Sequence, residues 1–342
     1  MYKLDDNFIK GHPRTESLRY KFGDALFDEI LKQDNVVVIF ADLSSAIGLN
    51  DIPRRLGHND LGKSVRHTTR EFNRFIEVGV AEQNLVGVAS GLAHMGQIPF
   101  TVSYAAFSPG RNWEQIRTSI CLNNQPVKIV GSHAGLNVGP DGASHQMLED
   151  IALMQVLPNM VVLSPGDAIE AEKMVKLMIN DPRPNYIRLP RASLPTFSIP
   201  DDPLEIGKAY LVRQDDNAMV TIISTGSMTG NALLASGQLF KQGIACEVIH
   251  VPTIKPLDKE TILSSCGRTK ITVTIEEHQI NSGLGSSIAS LILSSDVRPT
   301  KFKMIGVNDQ FGQSGTMDEL WHHYGLDVDS ITQSIRHLLT SN

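Results

Sequence analysis

Glu82, Tyr104, Phe107, His133, Asp141 and His145 are residues whose types and order could do chemistry together. Glu82 heads a stretch of small residues in Gly79-Val80-Ala81-Glu82-Gln83-Asn84, with Gly87, Ala89, Ser90 and Gly91 behind it. Bare backbone lets other groups approach closely, and the helix dipole favours an acid in a first turn. A carboxylic acid facing a ring nitrogen can share a proton with a flat, basic heterocycle. Tyr104 and Phe107, three apart, can present two faces to one planar ligand. Glu77 is a competing carboxylate, but the order Gly-Val-Ala-Glu-Gln favours Glu82. The turn Gly139-Pro140-Asp141-Gly142-Ala143-Ser144-His145-Gln146 is the most specific local signal. From it Asp141 can accept from substrate hydroxyls, and His145 can donate to a carbonyl or alkoxide as charge develops.

His133 follows the strand-like run Val127–Val130, at the carboxyl edge where open α/β sheets bind ligands. Arg19, Arg188 and Arg191 carry forked guanidinium donors suited to a phosphate. Each residue also has a plain structural role open to it. Glu82 can be an ordinary helix-start acid, the aromatics core packing, Asp141 a turn former and His133 a hydrogen-bonded core histidine. A metal site made of the two histidines and the aspartate lacks HxH or HxxxH spacing.

The elements that must position these residues alternate in type. Val36–Phe40, Val127–Val130 and Met160–Leu163 read as buried strands, and Arg19–Lys32, Glu82–His94, Trp113–Asn123 and Ala168–Asn180 as helices. This alternation predicts an α/β protein with a mainly parallel sheet covered by helices. The prolines from Pro190 to Pro203 suggest an exposed linker. Beyond it, strands at Met219–Ser224, Cys246–Val251, Ile271–Ile275 and Phe302–Val307 alternate with helices at Thr229–Gln242, Lys259–Ser265 and Leu284–Ser294. Two α/β domains are expected, at 14–194 and 205–342, joined by residues 195–204. In the second, the glycine turns near Gly226 and Gly283 read as structural, Glu276-Glu277-His278 has no evident partner, and His322-His323 belongs to a solvated helix.

Net charge is 31 − 37 = −6, which speaks against nucleic-acid and anionic-membrane partners. Cys121, Cys246 and Cys266 show no CxxC spacing and read as buried thiols of a reducing cytosol. There is no targeting segment and no apolar run of about 18 residues, so no membrane span and a cytoplasmic location are expected.

In this order the pieces resemble the pyrimidine-binding half of a transketolase, a thiamine diphosphate enzyme. From about Arg14 onward the chain is similar to the C-terminal two-thirds of a transketolase or deoxyxylulose-phosphate synthase. The resemblance rests on Gly79–Gln83 and Gly139–Gln146, and continues through Leu157-Pro158-Asn159-Met160 and Phe311-Gly312-Gln313-Ser314-Gly315. It implies a pyrimidine-binding domain followed by a transketolase C-terminal domain. Glu82 would be the cofactor-activating glutamate, with Asp42 and Leu43 against the cofactor and Tyr104 and Phe107 stacked on its aminopyrimidine. Asp141 and His145 would contact donor-sugar hydroxyls, and Arg19, His133 and Arg191 would face a distal phosphate. Glu82, His145 and His133 are the implied catalytic set.

Two departures from the family pattern stand out. A phosphate-binding serine expected after Ala41-Asp42-Leu43 appears as Ala46 or its neighbours. The Gly-Asp-Gly and following Asn that hold Mg²⁺ and the diphosphate are absent; the nearest string, Pro165-Gly166-Asp167-Ala168, opens a helix. An anion of that charge needs its cation, so no metal ligands are expected on this chain. The resemblance therefore implies a split enzyme, paired with a separate N-terminal diphosphate-binding subunit as α2β2, with the active site at their interface. The implied activity is transfer of a two-carbon ketol unit from a ketose, by expectation phosphorylated, to an aldose. The alternatives are a deoxyxylulose-phosphate synthase-like subunit, a 2-oxoacid dehydrogenase β-like subunit and a non-catalytic partner.

Overall fold

Val36–Phe40 is apolar at every position and buried at every position, a pattern that a strand sustains only in a parallel sheet covered on both faces. The computed structural model describes residues 2–50, 52–55 and 74–341. Its strands are, in chain order, β1 (Thr15–Glu16), β2 (Val36–Phe40), β3 (Phe75–Glu77), β4 (Ile98–Tyr104), β5 (Lys128–Ser132), β6 (Val161–Leu163) and β7 (Asn185–Leu189). They continue with β8 (Leu194–Pro195), β9 (Tyr210–Arg213), β10 (Val220–Ser224), β11 (Cys246–His250), β12 (Thr253–Lys255), β13 (Ile271–Gln279) and β14 (Lys301–Val307).

The first sheet runs β12-β6-β7-β5-β4-β2-β3 and is parallel except for β12, which comes from beyond residue 205 and pairs antiparallel with β6. The second sheet runs β14-β13-β10-β11-β9, with only β9 antiparallel among these strands. Helices Leu18–Lys32 and Ala168–Asn180 cover one face of the first sheet, contributing Phe22, Leu26, Ile30, Met174 and Met178 to its core. Helix Glu82–His94 and the segment Trp113–Cys121 cover the other with Leu85, Val86, Ala89, Ile116 and Ile120. The expected α/β architecture is the one observed.

Two expectations change. The helix read over Trp113–Asn123 is α-helical only at Trp113–Gln115 and continues in wider π turns over Ile116–Cys121. Thr118 Oγ1 donates to the Glu114 carbonyl at 3.0 Å, a back-bond that disturbs the local helix ladder. The proline-rich segment joins the two halves and is exposed only in part: Leu194, Thr196, Phe197 and Ser198 are buried, whereas Pro200, Asp201 and Pro203 are exposed. Asp167, at a helix N-cap, anchors it by accepting from the Phe197 amide at 3.0 Å and the Ser198 amide at 2.7 Å. Without a hydrophobic period this burial leaves no pattern to read. Among the described residues no helix is long and apolar enough to cross a membrane.

Candidate active site

Strands β3, β2, β4, β5 and β7 are consecutive neighbours in the first sheet and all parallel. Their carboxyl ends therefore release Glu82, Asp42, Tyr104 with Phe107, His133 and Arg191 along a single edge, where ligands of open parallel sheets bind. This topology sets residues up to 149 positions apart in sequence (Arg191 minus Asp42) along one edge of the sheet.

Glu82 is the first residue of its helix and is 4% exposed. Arg111 Nη1 stands 3.3 Å from both carboxylate oxygens, and Arg111 Cζ lies 4.2 Å over the Phe107 ring. Asn112 Nδ2 donates to the Glu82 carbonyl at 2.9 Å and so ties the helix start to the loop after β4. The competing carboxylate has another task. Glu77 Oε1 accepts from the Asp42 amide at 2.7 Å and the Gly79 amide at 2.9 Å, lacing two loops together. Asp42 sits there at φ 60 and Gly79 at φ 73.

Four rings meet at the same edge, joined to this acid through Arg111. Tyr104 stacks on His133 with centroids 3.9 Å apart and 25° between planes, and on Phe107 at 5.9 Å and 20°. His145 stands edge-on to both, 6.3 Å from Tyr104 and 5.5 Å from Phe107. His133 holds a left-handed backbone at φ 57, a conformation uncommon outside glycine and enriched at functional sites. Its Nδ1 is 3.2 Å from Ser132 Oγ. Burial, reinforced by the nearby Arg19, Arg191 and His145, pushes its pKa down to about 3, so the ring is neutral at ordinary pH. His145 Nδ1 lies 2.9 Å from Ser144 Oγ.

The anion-side residues divide. Arg19 Nε donates to the Arg191 carbonyl at 3.2 Å, and its Nη1 donates to the carbonyls of Ser45 and Ala46. Much of its fork thus holds protein loops together. Arg191 donates through Nη1 to the Val138 carbonyl and lies 3.9 Å from Asp141. Leu43 precedes the short helix Ser44–Ile47, in which Ala46 is buried. Arg188 is turned away from this edge: it is buried, with Nε 3.0 Å from Asp150 Oδ2, and donates to the Glu277 carbonyl. Glu276-Glu277-His278, which looked partnerless, is buried throughout: Glu277 and His278 meet the first half of the chain, and Glu276 accepts from the Leu284 and Gly285 amides.

Arg111 is the residue at this edge that reading the sequence missed, because its contact with Glu82, 29 residues away, leaves no local signal. A buried acid whose contact is a half-exposed arginine, with flat rings alongside, suits one end of a planar basic cofactor such as an aminopyrimidine. Among the described residues no group of three His, Cys, Asp or Glu side chains could hold a metal ion.

Residues 16–196 match the transketolase pyrimidine binding domain and residues 207–331 the transketolase C-terminal domain. A protein of Methanocaldococcus jannaschii named as a transketolase C-terminal section is 38% identical over 323 residues, covering 94% of this chain and 95% of the relative. The 6-deoxy-6-sulfo-D-fructose transketolase subunit of a Clostridium species is 35% identical, covering 93% and 92%. Among solved structures, a split-gene transketolase described as an inactive beta4 tetramer superposes with a TM-score of 0.82 at 37% identity, over 95% of this chain and 99% of that one. The chain belongs to the transketolase family and carries its pyrimidine-binding and C-terminal domains.

Proposed function

We propose that this chain is one subunit of a thiamine diphosphate-dependent transketolase that moves a two-carbon ketol unit from a phosphorylated ketose to an aldose. A separate N-terminal subunit would hold the diphosphate and Mg²⁺, in an α2β2 assembly with the active site at the interface. The observation that carries this reading is the buried Glu82 carboxyl at the sheet edge shared by Tyr104, Phe107, His133 and His145. The two-subunit reading is supported by relatives that the chain matches over nearly their whole length and that are named as a section or subunit of a transketolase. The free, buried cysteines fit a cytoplasmic location.

When bound, thiamine diphosphate supplies the nucleophilic carbon on which the two-carbon unit is carried. Glu82 holds a proton at the pyrimidine ring nitrogen. Its contact with Arg111 is loose, at 3.3 Å to an arginine whose side chain is 53% exposed. Phe107, covered by Arg111 on one face, and Tyr104, stacked on His133, would line the place of the planar ring, with Asp42 and Leu43 beside it. His145 donates to the sugar carbonyl oxygen as it gains charge, Asp141 accepts from sugar hydroxyls, and neutral His133 faces the distal phosphate. Arg191, and what remains free of the Arg19 fork, meets the distal phosphate.

Calorimetry with thiamine diphosphate and Mg²⁺ tests the division of labour. The expected result is binding by the mixture with the N-terminal partner and none by this chain alone; tight binding by the chain alone refutes it. In the assembled enzyme, Glu82→Gln should lower turnover by about 10²–10⁴-fold, the usual worth of a positioned acid–base group. Unchanged turnover would instead mark the chain as a scaffold. If Arg191→Ala leaves the KM for phosphorylated ketoses untouched, the phosphate assignment is wrong.

A further inference from the structure

Glu277 is a carboxylate of the second sheet that the proposed chemistry does not use. It lies near the end of β13 and is 2% exposed. Four donors converge on its two oxygens. From the first half of the chain come the Asn137 amide at 2.9 Å and Asn137 Nδ2 at 3.1 Å. From the second half come Ser227 Oγ at 2.5 Å and Trp321 Nε1 at 3.0 Å. A carboxylate has about four lone-pair directions, so this one is fully engaged.

The approach of the two halves depends on Gly135. Its φ is 90, and a Cβ there would stand 2.7 Å from Glu277 Cδ. Asn137 then passes the constraint onward. Its Oδ1 accepts from the Arg191 amide at 2.6 Å and the Ala192 amide at 3.3 Å, and its Nδ2 also donates to the Ala134 carbonyl at 2.8 Å. One carboxylate thus holds the asparagine that ties the loop after β5 to the loop after β7. A second brace comes from the segment after β14. Gln146 Nε2 donates to the Gln313 carbonyl at 3.0 Å, and a Cβ on Gly142 would meet Ser314 Oγ at 2.7 Å.

We infer that Glu277 is a positioning residue: through Asn137 it sets the relative placement of the loops that carry His133, Asp141, His145 and Arg191. On the transketolase reading, the C-terminal half of the chain thereby controls the grip on the donor sugar. Glutamine at position 277 would turn an NH₂ group toward surroundings made of donors and leave at least one buried N–H unpaired. Displacing reacting groups by about 1 Å costs on the order of 10²-fold in rate. Glu82, Tyr104 and Phe107 issue from β3 and β4, outside this pair of loops; although Tyr104 packs on His133, Arg111 and Asn112 anchor Glu82 separately, so the cofactor end keeps its own supports.

The test uses Glu277→Gln and, independently, Asn137→Ala in the full chain assembled with its N-terminal partner. In both variants the ketose KM should rise by roughly 10-fold or more, with thiamine diphosphate affinity held within about twofold. In the chain by itself, amide exchange at Arg191 and Ala192 should quicken by about 10-fold or more as the local hydrogen bonds open. The double variant should be no worse than the more severe single one, because both act on one connection. Unchanged ketose KM and unchanged exchange overturn the proposal, and a lowered melting temperature alongside them assigns Glu277 a purely structural role. Should Glu277→Gln fail to fold, Asn137→Ala decides by the same readouts. If the unaltered complex transfers no ketol unit from any ketose, the transketolase reading falls, and the exchange measurement still judges the brace.

Discussion

His133 offers a test that needs neither partner nor substrate. Its ring is 4% exposed, stacked on Tyr104 at 3.9 Å, and its pKa is held at about 3 against an ordinary value of 6.5. Burial is the main cause, and Arg19, Arg191 and His145 push the same way. As pH falls below 6.5 the unfolded chain takes up a proton here that the folded chain refuses, so stability falls with acid down to about pH 3. Above that window the site adds no pH dependence. One pKa unit is worth about 1.4 kcal/mol, and at about pH 5 the interval below the ordinary value is roughly 1.5 units, or about 2 kcal/mol. His278, buried and lowered to about 4, titrates in the same window but is common to both proteins compared. Urea denaturation of the chain and of His133→Gln at about pH 7 and about pH 5 isolates the term. Lost stacking shifts the variant by a constant, whereas the gap between the two should move by about 2 kcal/mol in the variant's favour on acidification. Parallel pH profiles would show that His133 titrates normally, and the neutral ring assigned to it would fall.

Three further outcomes follow from packing. Asp150→Asn should cost about 3–5 kcal/mol in denaturant unfolding, since it strips the charge partner from buried Arg188, 3.0 Å away, and disturbs the 2.8 Å bond from Tyr186; a loss below about 1 kcal/mol would mean the pair is solvated. Gly23→Ala should cost about 1–3 kcal/mol by thermal or urea unfolding, because its Cβ would lie 1.8 Å from the Ile47 carbonyl oxygen beside the Asp42 loop; wild-type stability would show that helix and loop can separate freely. Asp167→Ala should cost about 2–4 kcal/mol, combining a lost helix cap with the stranded amides of Phe197 and Ser198. Limited proteolysis of that variant should cut first between residues 195 and 204, and unaltered resistance there would count against the anchoring role.

Much of the edge that gathers the site was legible because strand ends are legible. A β-branched run predicts a buried parallel strand, and the residue just past it lies at the carboxyl edge whatever else the fold does. His133 after Val127–Val130 was placed this way. The choice of Glu82 over Glu77 rested on residue order; in the structure Glu77 accepts from the Asp42 and Gly79 amides.

What stayed hidden depends on partners far away in the chain. Nothing local marks Arg111 as the contact of Glu82, 29 residues off, or Glu277 as the acceptor for Asn137, 140 residues off. Arg188 and Arg191 look alike as candidate anion grips, yet one is buried against Asp150 and the other stands at the sheet edge. Sequence by itself determined the strands, their alternation with helices and the acids, rings and glycines offered at the turns, because periodicity and backbone freedom are local properties. Only the tertiary structure decided which buried polar group answers which, because a hydrogen bond between distant segments exists only once the two sheets have packed and excluded the water that would otherwise have satisfied both.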